Sequence, residues 1–87
     1  MLWIDTKYIN LISNKLERFT KKSDNLYNFR CPYCGDSQRN KFKARGYVYE
    51  LKGNLLYKCH NCSQGGNLGS LLEFVDQFLF NQYRLEK

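Results

Sequence analysis

Two pairs of cysteines are the residues in this sequence best suited to chemistry. Cys31 and Cys34 form one CxxC pair, and Cys59 and Cys62 form a second. The spacing within each pair lets both sulfurs curl around one ion, and two such pairs supply the four ligands that tetrahedral zinc prefers. Because four protein ligands leave no open position for water or substrate, we predict one structural zinc ion.

Two other roles for the cysteines are open. They could be buried apolar side chains, or they could form a redox-active dithiol that holds no metal tightly. Reducing surroundings favour thiolates on a metal over disulfides, and each pair follows a predicted strand. These features favour the metal site, and one zinc ion per chain would exclude a dithiol oxidoreductase.

The segments that flank the cysteine pairs are predicted to be helical. Apolar side chains recur at helical spacing over about residues 5–19, and Asp5 is suited to cap that helix. The polar residues 21–25 end the pattern and predict a loop. Gly65 and Gly66 are predicted to form a turn and lack the sequence of a phosphate-binding loop, and a second helix is predicted over about 67–85, with Asn67 as its N-cap.

The cysteines themselves lie in a segment of predicted β-structure over about residues 26–63. Alternating segments run directly into Cys31 and Cys59, and residues 52–54 (Lys-Gly-Asn) predict a hairpin between two strands. The fold class is therefore predicted to be α+β: a zinc ribbon, built from a small antiparallel sheet with two CxxC knuckles, flanked by an N-terminal and a C-terminal helix.

The chain is short and basic. Its 87 residues are enough for a single small domain over 1–87, and domains of this size often need a metal or disulfide to be stable. Fourteen lysines and arginines against eight acidic residues give a formal charge of +6, which attracts polyanions. No signal peptide or membrane-spanning run is visible, so we expect a cytoplasmic location. The last predicted helix has no stop signal, so we expect a longer protein of which this is the N-terminal part.

Basic and aromatic residues are concentrated around the second cysteine pair and in the insert before it. Cations can contact phosphates while flat rings stack on bases, so this composition suits a single-stranded nucleic acid. His60 directly follows Cys59 and cannot easily join the same tetrahedron, so we predict that it contacts phosphate instead of metal. The candidate contacts are Arg39, Lys41, Lys43, Arg45, Tyr47, Tyr49, Lys58 and His60. The alternative is a solvated loop that binds nothing.

A longer pattern resembles a known family. The motif CPxCGDS over residues 31–37, KARGxxY over 43–49, the second cysteine pair and the Gly-Gly at 65–66 together resemble the N-terminal zinc-binding domain of DNA primases, in particular those of T4-like bacteriophages. The resemblance implies zinc on the four cysteines and recognition of a short template triplet in single-stranded DNA. It also adds Asp36 and Ser37 to the candidate template contacts.

The resemblance implies a recognition module and not a complete enzyme. The polymerase core of primases carries clustered acidic residues for metal-assisted nucleotidyl transfer, whereas the acidic residues here are scattered. We therefore expect this piece alone to make no primers. The implied partners are the single-stranded DNA template, the replicative helicase of the primosome, and the polymerase domain of the same or a neighbouring primase chain. The alternative is a zinc ribbon that only docks on a helicase or a transcription complex.

Overall fold

The computed structural model describes residues 2–34, 44–60 and 62–87. Over these residues, the chain forms an N-terminal helix, then a five-stranded antiparallel sheet, then two C-terminal helices, which confirms the predicted α+β zinc-ribbon class. The elements are α1 (Leu2–Leu11), a short 3-10 turn (Ser13–Lys15), β1 (Thr20–Ser23), β2 (Leu26–Phe29), β3 (Gly46–Leu51), β4 (Asn54–Cys59), β5 (Gly65–Asn67), α2 (Leu68–Val75) and α3 (Gln77–Glu86). None of the helices in these ranges is long and apolar enough to cross a membrane.

The strands follow one another through the sheet in chain order, each antiparallel to the next. The predicted hairpin is confirmed, because Lys52 and Gly53 form a tight turn between β3 and β4, with positive φ angles of 53° and 83°. Gly46 begins β3 and pairs with Phe29 on one side and Cys59 on the other. The register therefore brings the ends of β2 and β4, each of which leads into a cysteine pair, to the same end of the sheet.

The two faces of the sheet differ sharply. One face is buried and packs against α1 and α2, and it presents Tyr27, Phe29, Val48, Leu55, Tyr57 and Cys59. The residues that alternate with these point away from the core and include Tyr47, Tyr49 and Lys58. Because side chains alternate along a strand, one register determines both which residues lie on the outer face and which end of the sheet carries the cysteines.

The first predicted helix is too long. Instead of running over 5–19, α1 ends at Leu11 and gives way to the 3-10 turn, after which Leu16 is extended, with φ −109° and ψ 125°. Ile12 and Leu16 are buried, as their spacing predicted, but both lie beyond the end of α1. The chain turns here because the amide of Arg30 donates to the carbonyl of Glu17 (2.8 Å), which brings the following residues beside β2.

Two further predictions for the flanking segments need correction. Part of the predicted loop over 21–25 is strand β1, whose residues are all exposed and so show no apolar alternation. The predicted helix over 67–85 is two helices, because the Asp76 carboxylate accepts hydrogen bonds from the amides of Phe78 (3.0 Å) and Leu79 (3.3 Å) and caps α3. The predicted N-cap of α2 is confirmed, since the Asn67 side chain accepts from the Ser70 amide at 2.8 Å.

The sequence pattern predicted that Asp5 caps the first helix, and this prediction is wrong. Asp5 lies inside α1 and is fully buried, with 0% of its surface exposed. Its carboxylate accepts hydrogen bonds from the Leu55 amide (2.9 Å), the Tyr83 hydroxyl (2.7 Å) and the Lys87 ammonium (3.1 Å). These contacts tie α1 to strand β4 and to the end of α3, so a single buried charge joins three parts of the fold.

Candidate metal centre

The structure brings the four predicted ligands together. Their sulfur atoms all lie within 4.8 Å of one another. Two of the contacts join the pairs crosswise, at 3.8 Å between Cys31 Sγ and Cys62 Sγ and 3.9 Å between Cys34 Sγ and Cys59 Sγ. Four sulfurs at about 2.3 Å from a central tetrahedral ion are about 3.8 Å apart, so the spacing of this cluster fits one metal ion.

Backbone hydrogen bonds shape the second knuckle. The Cys62 amide donates to Cys59 Sγ at 3.4 Å, and the Ser63 amide donates to the Cys59 carbonyl at 3.1 Å. The Cys59 amide in turn donates to the carbonyl of Gln64 at 2.9 Å. These contacts fold the chain back immediately after β4, so both sulfurs of the pair face the same point.

The four thiols differ in their surroundings. Cys31 and Cys59 are buried, Cys34 is partly buried and Cys62 is exposed, and all four are free thiols. Burial raises the pKa of Cys31 to about 12, so this side chain is a neutral thiol in the metal-free protein. Since a metal ion binds the thiolate, binding here must displace a proton. The chemistry of the cluster is therefore that of a site that can hold a metal ion through four sulfurs.

Part of the predicted nucleic-acid surface lies beside this cluster. Tyr47 pairs with Lys58 across β3 and β4, and its ring meets that of His60 edge to face, with centroids 5.1 Å apart. The His60 amide donates to the carbonyl of Arg45 at 2.9 Å. Tyr49 lies one step further along the same face. The structure thus groups four of the candidate contacts at the cysteine end of the outer face, with Tyr49 further toward the hairpin.

The other candidate contacts cannot be placed in this way. Asp36, Ser37, Arg39, Lys41 and Lys43 lie outside the described residues.

The outer face continues over residues that no sequence pattern had indicated. Asn28 pairs with Tyr47 across β2 and β3, and its amide donates to the carbonyls of Ala44 (2.7 Å) and Gly46 (3.1 Å). Beside it is an open, mostly polar depression of about 440 Å³, to which Arg18 and Lys22 contribute. The sequence pattern predicted a loop at Lys22, but Lys22 lies in strand β1, at the irregularity in its pairing with β2, and lines this depression.

Strand-borne cysteine pairs that meet around one tetrahedral site define the class of metal-binding zinc ribbons. No family model matches the chain. Over 89 aligned residues, the chain is 33% identical to the DNA primase of Enterobacteria phage T4. The match covers 97% of this chain and 25% of the phage primase, so the chain spans about a quarter of that relative's length. The similarity confirms the resemblance to phage DNA primases indicated by the sequence motifs.

Proposed function

We propose that this chain is the zinc-binding, template-recognition module of a DNA primase, which contacts single-stranded DNA to select sites of primer initiation. The observation that carries the proposal is the similarity to a DNA primase over nearly the whole chain. The clustered cysteines and the adjacent basic, aromatic surface supply the chemistry that such a module needs.

Zinc is the ion we propose for the cluster. Four sulfur donors in tetrahedral spacing suit zinc and leave no position open for a reacting water or substrate. The role of the ion is therefore to hold the ends of β2 and β4 together beside the outer face. Cys31, Cys34, Cys59 and Cys62 would be its ligands.

The outer face at the cysteine end is the proposed DNA-contact surface. The Tyr47 ring offers a stacking platform for a base. Positive charge for phosphates comes from Lys58, its cross-strand partner, and from Arg45, whose carbonyl accepts from the His60 amide. The rigid sheet below fixes the spacing between these groups. Stacking tolerates any base, so recognition of a particular template triplet would need further contacts, for which Asp36, Ser37 and Lys43 are candidates.

The proposed surface predicts a specific effect of removing the Tyr47 ring. Tyr47→Ala is expected to weaken binding to a single-stranded DNA oligonucleotide roughly tenfold, since a stacked base contributes about 1–3 kcal/mol. Tyr47→Phe keeps the ring and is expected to bind nearly as the wild type does. The measurement is an NMR titration of zinc-loaded, isotope-labelled protein. Equal affinity of Tyr47→Ala and wild type would place the contact elsewhere.

Positive charge on the same surface should make the affinity for single-stranded DNA depend on salt concentration. Lys58→Ala is expected to make the plot of log affinity against log salt concentration shallower by about 0.7, the value for one phosphate contact on a single strand. Lys21→Ala is a suitable control, because Lys21 is paired with Asp24 at 3.8 Å on an exposed edge. An unchanged slope for Lys58→Ala would remove this side chain from the interface.

The module is proposed to work within a larger assembly. We infer that residues 1–87 form one non-catalytic domain of a longer primase, with the polymerase domain and the replicative helicase as partners. A docking ribbon without DNA contacts is the second candidate function, and the exposed rings of Phe74 (54%) and Phe78 (69%) favour it. In the NMR titration, docking predicts shifts at these rings on addition of helicase and no shifts with DNA.

A further inference from the structure

One buried polar atom near the cysteines has no partner. The hydroxyl of Tyr57 is shielded from solvent and makes no hydrogen bond to any of the described residues. Leaving a buried hydroxyl unpaired costs about 1–3 kcal/mol, so native structures rarely retain such a group without a reason.

The position of the Tyr57 ring is fixed by the first cysteine knuckle. The ring stacks on Phe29, with centroids 5.6 Å apart and planes 15° apart, and it contacts Tyr33 at 5.7 Å. Phe29 and Tyr33 stand two residues before and two residues after Cys31. Tyr57 also precedes Cys59 by two residues on β4, so these two side chains share the buried face of the sheet.

The hydroxyl reaches toward the end of the sheet that carries the cysteines. A Cβ added to Gly46, the cross-strand partner of Cys59, would lie only 2.9 Å from the Tyr57 oxygen. Glycine at position 46 therefore makes room for the hydroxyl at the level of the metal site. The ring lies against Phe29 and Tyr33, which flank Cys31 in the chain, so this geometry favours the Cys31 sulfur over those of the other cysteines.

We propose that the Tyr57 hydroxyl donates a hydrogen bond to the Cys31 sulfur when that sulfur is a metal-bound thiolate, which makes Tyr57 a positioning residue of the metal centre. This inference rests on the zinc site of the proposed function. A neutral thiol is a weak acceptor, whereas a thiolate is negatively charged and accepts hydrogen bonds more strongly. The hydroxyl is thus satisfied by metal binding, and it spreads part of the negative charge that four thiolates place on one ion.

The test compares Tyr57→Phe, which keeps the ring and deletes only the hydroxyl, with the wild type. Partners of this kind typically change metal affinity by about 10–100-fold when removed. We expect Tyr57→Phe to bind Co²⁺ and Zn²⁺ about tenfold more weakly in competition with a chelator, and to shift the sulfur-to-cobalt charge-transfer band. Tyr8→Phe is the matched control, since the buried Tyr8 donates its hydrogen bond to Glu86 at 2.8 Å. It should change neither quantity.

The possible results distinguish a failure of the proposed Tyr57 hydrogen bond from a failure of the proposed metal site. A normal four-sulfur cobalt spectrum in both proteins, with equal affinity and an unshifted band, would overturn the role of Tyr57 and leave the metal site intact. A wild-type protein without such a spectrum would overturn both. If Tyr57→Phe does not fold, wild-type protein loaded with an NMR-active cadmium isotope decides the matter. Coupling between the Tyr57 hydroxyl proton and cadmium supports the bond, and a rapidly exchanging, uncoupled proton contradicts it.

Discussion

Removal of the metal is expected to unfold the cysteine end of the sheet. A structural zinc site contributes about 10–16 kcal/mol of apparent binding free energy in small zinc modules, whereas a small domain is stable by only about 5–15 kcal/mol. The backbone pairing of β2, β3 and β4 ends at Phe29, Gly46 and Cys59, so beyond it the ion is the link between the two cysteine pairs. Chelation, or the substitution Cys59→Ala, should therefore abolish the native amide spectrum over β2–β4.

Circular dichroism and amide NMR spectra, recorded before and after chelation, measure this effect. Adding zinc back should restore the wild-type spectrum but not that of Cys59→Ala. Ser63→Ala, next to Cys62 but without a thiol to lose, should behave like the wild type. Spectra that stay native after complete chelation would show that folding does not depend on the metal.

Loss of the Asp5 carboxylate should produce the second large effect. Asp5→Ala leaves the buried Leu55 amide without its partner and removes the acceptor of Tyr83 and Lys87. Leaving a buried donor without its partner costs about 1–3 kcal/mol, and more when the lost acceptor is charged. Asp5→Asn keeps the shape and one accepting oxygen but loses the charge, so we expect it to be destabilised less than Asp5→Ala.

Urea denaturation of the zinc-saturated protein gives the free energies of unfolding for this comparison. Asp24→Ala is the matched control, because its side chain is 99% exposed and only loosely paired with Lys21. That substitution is expected to leave the denaturation midpoint unchanged. Equal midpoints for Asp5→Ala and Asp24→Ala would mean that the buried network adds nothing to stability.

The cysteine cluster and the hairpin could be predicted because both depend on local sequence. The spacing within a CxxC pair and the Lys-Gly-Asn turn leave few alternatives for the chain. The other elements depend on contacts between residues that are distant in the sequence. Strand β1 forms through backbone pairing with β2 and shows no apolar pattern, and α1 ends where the chain must turn to reach that pairing.

The buried contacts of Asp5 were not predicted, although the sequence contained a signal for them. Asp5 occupies the same helical stripe as Tyr8, Ile9 and Ile12, all of which are buried. A carboxylate in an apolar stripe must be neutralised by hydrogen bonds or a cation, so its position indicated a buried polar contact. The partners, Tyr83 and Lys87, lie at the other end of the chain and could not be identified from spacing alone.

The order of the strands bears on how fast the protein folds. Each strand pairs with the next one in the chain, so most hairpins close short loops, and such local contacts favour rapid folding. The exception is the pairing of β2 with β3, whose paired ends, Phe29 and Gly46, are separated by the longest connection between neighbouring strands. The entropy lost in closing that loop makes it the slow step. A metal ion on the four cysteines would bridge the first cysteine pair to the end of β4 and so act on this step, and we therefore expect the refolding rate to rise with zinc concentration.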